Sequence, residues 1–283
     1  MPRRDPVSGK AIVHRVEDGM DRQDIGLTSY QMRNMYRQLG DAFFTHLDVF
    51  NYIQHHQIAR WCKKGNHVLD VCCGRGLMLP LLRYYAKDIG SYTGVDIAPE
   101  NATFLDKRVT DGKPLEQTVQ DYYPFPVKYV ESNVAVMAGV LPRKYDVIIY
   151  TSAIEHMHPA MGQLSLVECA QVAKPGALLV LTCPNTPEDQ DGYDTRYRAH
   201  VYEWKRSELT KGVEEAGFTV QFEYGLTISK KALEGLATRY GFGPLLSRIA
   251  GVVPPEWYLP VFAPMFPRES SEIALVCRRE KHV

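Results

Sequence analysis

The ten residues His67–Gly76, HVLDVCCGRG, constrain this chain more than any other stretch. An apolar run closes on an acid, two cysteines and a Gly-x-Gly, which reads as a buried strand turning sharply into a helix over Leu77–Tyr85. Glycines at such a turn let the backbone approach a ligand closely, because no Cβ stands in the way. The third glycine of the dinucleotide fingerprint would fall at Leu79, so that pattern is not met.

Strand and helix signals alternate after this turn. Strands are expected at Val68–Cys72, Tyr92–Ile97, Val127–Glu131, Tyr145–Tyr150, Ala177–Cys183, Phe218–Tyr224 and Ile273–Arg278. Helices are expected from Pro99, over Met161–Val172 and over Arg206–Ala216, the last ended by Gly217. The turn signal Lys174-Pro175-Gly176 precedes the fifth strand. Such alternation implies an α/β fold, a doubly wound, mostly parallel sheet with helices on both faces, whose ligands sit beyond the carboxyl ends of the strands. Two segments stand outside the alternation. Residues 1–62 form an N-terminal extension, weakly patterned over 1–27 and helix-like over 28–62. Residues 227–269, rich in Pro and aromatics, form an insert before the last strand, and both are expected to act as lids. The core domain is then 63–226 with 270–283.

The bulk numbers exclude several classes. Lys plus Arg equals Asp plus Glu at 33 each, so a protein devoted to holding long nucleic acid, which needs a basic excess, is not expected. There is no apolar run of membrane-spanning length and no signal-like N-terminus, so neither a membrane partner nor secretion is expected. Six cysteines without a CxxC pair point to reduced thiols in the cytoplasm and to no common zinc site. Oligomeric state is not legible.

The acid followed by CCGRG closely resembles motif I of class I S-adenosylmethionine (SAM) methyltransferases, and the likeness runs from about Val68 to Phe222. It implies a Rossmann-like, seven-stranded sheet whose last strand is antiparallel. It also implies that Asp70 and the Gly74–Gly76 backbone hold the methionine end of SAM, with Cys72 also among the cofactor-binding residues. Asp96 closes the second strand, Gly94-Val95-Asp96-Ile97, 20 residues after Gly76. A carboxylate there accepts from two ribose hydroxyls, whereas the plainer reading is a helix-capping Asp. Ile97 would pack on the adenine. Asn133 stands where the family often has an Asp facing the adenine amine, and Thr151 and Ser152 would lie beside the sulfonium. Tyr150-Thr151-Ser152-Ala153 lacks the Pro-Pro turn of DNA amino-methyltransferases, and Cys183-Pro184 reverses the order of a cytosine C5 nucleophile motif.

Two segments could carry catalysis, Ala153-Ile154-Glu155-His156-Met157-His158 and His200-Val201-Tyr202-Glu203-Trp204. Histidine is the natural group for taking a proton near neutral pH. Glu155, His156 and His200 are the candidate catalytic residues. The same three match a similar set in the small-RNA 3′-terminal 2′-O-methyltransferases, which bind a divalent metal. Ser152 stands where those enzymes carry a further Glu, so no metal ligand is expected here. His55-His56, beside Gln54 and Gln57, reads as a solvated or substrate-facing helix surface. The expected activity is methyl transfer from SAM, leaving S-adenosylhomocysteine, to an O or N atom of a small molecule. The alternatives are a metal-assisted RNA 2′-O-transfer, a peptide or protein acceptor, and a fold that binds SAM without catalysis.

Overall fold

The computed structural model describes residues 16–17, 20–21, 46–74, 76–97, 123–141 and 144–280. Its centre is a seven-stranded sheet: β1 (His67–Val71), β2 (Ser91–Asp96), β3 (Val127–Glu131), β4 (Tyr145–Thr151), β5 (Ala173–Pro184), β6 (Phe218–Ile228) and β7 (Ser270–Arg279). The strands lie in the order β3-β2-β1-β4-β5-β7-β6. Neighbours from β3 through β5 are parallel, and β7 runs antiparallel to both β5 and β6. The expected sheet and its antiparallel last strand are therefore present.

Side chains alternate between two cores, as the period-two geometry of a strand requires. Leu69, Ile148, Tyr150, Leu179, Leu181 and Leu275 face one side. There α3 (Pro159–Val172) and α4 (Arg206–Glu215) contribute Leu166, Cys169, Leu209 and Val213. Val68, Val147, Ile149, Val180 and Val276 face the other. On that side α1 (His46–Ala59) brings Ile58, and α2 (Met78–Tyr85) brings Leu79 and Leu82. Each such fully buried aliphatic side chain is worth about 1.5–3 kcal/mol.

Three boundaries differ from expectation. Lys174-Pro175-Gly176 is a bulge inside a longer β5 and does not precede it. Pairing with β4 jumps from Tyr145↔Ala173 to Val147↔Leu178, and Gly176 takes φ +80° within the extra residues. Strand β6 runs on to Ile228, paired with Ser270, so the insert proper begins at Ser229. In the insert, α5 (Lys230–Tyr240), α6 (Gly243–Ala250) and α7 (Pro255–Phe262) surround a small core of Leu233, Leu236, Leu246 and Tyr258. The Ser229 hydroxyl accepts from Ala232 N–H, and Gly241 ends α5 at φ +76°. Within 28–62 the described helix is α1, and the chain has left it by Arg60. The remainder of that expectation, the helix from Pro99 and Arg75 lie outside the described residues. A two-residue antiparallel pair, Val16–Glu17 with Met20–Asp21, falls in the weakly patterned N-terminal stretch.

Strand β1 has β2 on one side and β4 on the other, so chain order reverses there. The carboxyl ends of these strands are the place such a sheet offers to a ligand.

Candidate active site

At the carboxyl end of β1 the chain turns through Cys72 (φ +55°), Gly74 (φ +51°) and Gly76 (φ +70°). Two of these left-handed positions are glycine, which bears the conformation without strain, and Cys72 is not. A Cβ placed on Gly74 would meet no atom within 4 Å, so the turn opens onto free space. The turn is fastened to β2 by Cys73 N–H to Val95 O (3.0 Å) and by Gly74 N–H to Asp96 Oδ2 (2.8 Å). Gly94 permits this approach, since a Cβ there would stand 2.6 Å from Cys73 Sγ.

Asp70 is buried beneath the turn and accepts from the Tyr92 hydroxyl at 2.7 Å. Burial raises its carboxyl to about 7, although the Tyr92 bond works in the opposite sense. Burial also pushes both the Cys72 and Cys73 thiols well up. All six cysteines are free. Asp96 closes β2 and is buried, and Ile97 follows it. Past β3, the Asn133 side-chain oxygen accepts from Ala135 N–H at 2.9 Å and so caps the short 3-10 turn Val134–Gly139.

The second half of the site lies beyond β4 and β5. Thr151 ends β4, and Ser152 follows at φ +44°. Ser152 N–H donates to Thr182 O and Thr182 Oγ1 at 3.0 and 3.1 Å. Gln54 of α1 reaches this point, its Nε2 donating to Thr182 Oγ1 at 2.8 Å and to Ser152 Oγ at 3.1 Å.

The two segments expected to carry catalysis meet. Glu155 O accepts from Val201 and Tyr202 N–H at 2.8 and 3.1 Å, which ties the β4 loop to the loop after β5. The His156 and His200 rings stand 5.1 Å apart, edge to face. His156 Nδ1 donates to Ala199 O at 2.8 Å, and His200 Nδ1 donates to Glu203 Oε1 at 2.7 Å. Both acceptors place the proton on Nδ1, so that in the neutral ring Nε2 carries the lone pair. Burial draws His156 down to about 4, so its ring is neutral near pH 7. Glu203 is 1% exposed yet ionised. Burial raises it, but bonds from His200 and from Arg196 Nε (2.9 Å) and N–H (2.8 Å) together hold it near 2. Glu155 is also buried, its Oε2 has no hydrogen-bond partner, and burial with the nearby Glu272 pushes its carboxyl well up.

The structure thus gathers Glu155, His156 and His200 in one cluster, and Asp70, Cys72, Gly74, Gly76 and Asp96 in a second. One reading is corrected. His55 is buried, with Nδ1 bonded to Asn51 O at 2.6 Å, because it lies on the inner side of α1; only its neighbour His56 lies nearer the surface, against Tyr52 and Tyr85. Two residues were missed. Glu203 could have been found as the one acid three residues past His200, and Gln54 as a polar residue between Phe50 and Ile58 on a core-facing stripe.

A family model described as a methyltransferase domain matches residues 28–222, more than half of the chain. Among solved structures, the chain is similar to magnesium protoporphyrin IX methyltransferase from Synechocystis PCC 6803, determined with bound SAH. The identity is 15%, over 88% of this chain and 95% of that one, with a TM-score of 0.54. It is also similar to a SAM-dependent methyltransferase from Archaeoglobus fulgidus, at 18% identity over 86% and 99% with a TM-score of 0.52. The [4+2]-cyclase SpnF matches at 16% identity over 82% and 81%, also with a TM-score of 0.52. At these identities the structures establish a shared fold.

Proposed function

The chain belongs to the methyltransferase-domain family, and from that premise we propose that it moves a methyl group from SAM to an O or N atom of a small-molecule acceptor. One observation carries the cofactor assignment. The β1 turn opens onto free space at Gly74, and its N–H fixes a buried carboxylate, Asp96, at the end of β2. These residues fit the group. Asp96 offers charge-assisted acceptance to ribose hydroxyls, Ile97 an apolar wall for the adenine, and Asn133 an amide beside it. Asp70, Cys72 and the Gly74 and Gly76 backbone border the methionine end, and Thr151 the reacting end. SAM, when bound, supplies a methyl carbon made electrophilic by a positive sulphur.

The acceptor's proton falls to the other cluster. His156 and His200 each hold Nδ1–H toward an oxygen of the chain, so each presents Nε2 as the proton-accepting atom. Glu203 locks the His200 ring in that orientation, and Arg196 keeps Glu203 ionised. Positioning the acceptor's lone pair in line with the methyl carbon supplies the rest of the acceleration. The N-terminal helix and the 229–269 insert act as lids that keep water from the transfer, and the chain works in the cytoplasm. Titration with SAM and S-adenosylhomocysteine tests the cofactor site, and an acceptor screen on protein that binds them tests the transfer. Absence of methyl transfer to any acceptor by protein that binds SAM tightly would favour a binding-only role.

A second reading, metal-assisted transfer to an RNA 2′-hydroxyl, is favoured by one observation. Ligand atoms of Glu155, His156 and His200 lie within 4.8 Å of one another, and two imidazoles with one carboxylate suit a divalent transition metal. The balanced net charge argues against RNA. Methylation of an RNA 3′ end that requires added Mn²⁺ or Zn²⁺ would move the assignment to this reading.

A further inference from the structure

The outer faces of α6 and α7 carry apolar side chains that the fold leaves in water. Trp257, Val261 and Met265 recur every four residues, so they share one face of α7 and of the turn that follows it; all three are exposed, Val261 to 67%. Leu245, Arg248 and Val252 are spaced as one face of α6 and its end, and Val252 is 83% exposed. The opposite faces, through Leu246, Tyr258 and Ala263, fill the insert's own core. The outer stripe is therefore not needed to hold the insert together. Between Tyr240 and Pro267 the only charged residues are Arg248 and Glu256. α6 and α7 are in contact, and exposed apolar residues on adjoining helices so poor in charge mark a contact surface.

The surrounding charge selects the partner. Across 229–269 five cations, Lys230, Lys231, Arg239, Arg248 and Arg268, stand against Glu234, Glu256 and Glu269, an excess of two positive charges in a chain whose total is balanced. Lys230 is paired with Glu234, whereas Arg239 lies over the Tyr240 ring and Arg248 sits within the stripe itself. Short amphipathic helices with Trp, aliphatic residues and adjoining arginines suit an anionic lipid surface, with the apolar groups at the acyl boundary and the arginines at the headgroups. No helix among the described residues is long and apolar enough to cross a membrane. Contact would therefore lie in the plane of the interface.

We propose that the α6–α7 face docks on anionic membrane, with Leu245, Val252, Trp257 and Val261 inserted. This departs from the sequence expectation of no membrane partner, and it stands independently of methyl transfer. The test is co-sedimentation of the full chain with phosphatidylcholine vesicles, with and without phosphatidylglycerol, at low salt. The wild type is expected to pellet with the anionic vesicles and on the order of tenfold less with the neutral ones. The double variant Val252→Asp, Val261→Asp is expected to stay in solution, with unchanged Tm and S-adenosylhomocysteine affinity. Wild type that stays in solution with both vesicle types overturns the proposal, as does a double variant that still pellets. A dimer in light scattering that the double variant dissolves, without vesicle binding, would overturn it in favour of self-association.

Discussion

The two ends of this site, the one proposed for the cofactor and the one proposed for the acceptor, are built differently. The first is local. Cys72 to Gly76 and Gly94 to Asp96 come from two adjacent strands, and backbone hydrogen bonds and left-handed turns set their geometry. The second is assembled from afar. His156 leans on Ala199, His200 on Glu203, Glu155 on the 201–202 backbone, and Ser152 on Gln54 from a helix 98 positions earlier. A backbone-built site keeps one ligand, and a site of side chains on loops can change its acceptor while the sheet stays fixed.

The sharpest way to break that division is His200→Ala. The division predicts that turnover falls by roughly 10²–10⁴ while S-adenosylhomocysteine affinity stays within a few-fold. Steady-state kinetics beside calorimetry reads both, and unchanged turnover removes His200 from the catalytic set. Next comes Glu203→Gln, which leaves Arg196 and His200 without their shared carboxylate. Losing these charge-assisted bonds costs about 1–3 kcal/mol, readable as a lowered urea midpoint. Because Glu203 is held near 2, its contribution is present above the ordinary carboxylate range and is lost as pH falls through that range toward 2. The variant should therefore differ most from wild type near neutrality and least in strong acid.

Gly94→Ala tests the other half. Its Cβ would meet Cys73 Sγ, so stability should drop by about 1–3 kcal/mol and cofactor affinity should fall with it, the catalytic cluster being untouched. The smallest effect concerns Asp70. Its raised pKa means that its contribution is present below the ordinary carboxylate range and is lost as pH rises through about 7. Denaturation at pH 5 and pH 8 should show a smaller difference in Asp70→Asn than in wild type, and an equal difference would show that Asp70 is already ionised in the fold.

The same division explains what the sequence made legible. The β1 turn, Asp96 and the alternation of strands could be read because their signals are short-range: an apolar run, a glycine pair, an acid at a strand end. The strand lengths could not, because β6 and β7 extend one another through their mutual pairing, and Pro175-Gly176 is absorbed as a bulge only once β4 lies beside it. His156 and His200 were readable as residue types, but their tautomers depend on Ala199 O and on Glu203, which only the packed loops supply. Gln54 was marked locally only as a polar residue on an apolar stripe, and its role depends on Ser152 and Thr182, which are distant in sequence.

The most direct test of the central claim is calorimetric titration of S-adenosylhomocysteine into the wild type and into Asp96→Ala. The account predicts micromolar binding to the wild type and a loss of roughly two orders of magnitude in the variant, the scale of one or two charge-assisted hydrogen bonds. Equal affinity in the two proteins, or no binding by folded wild type, would contradict it.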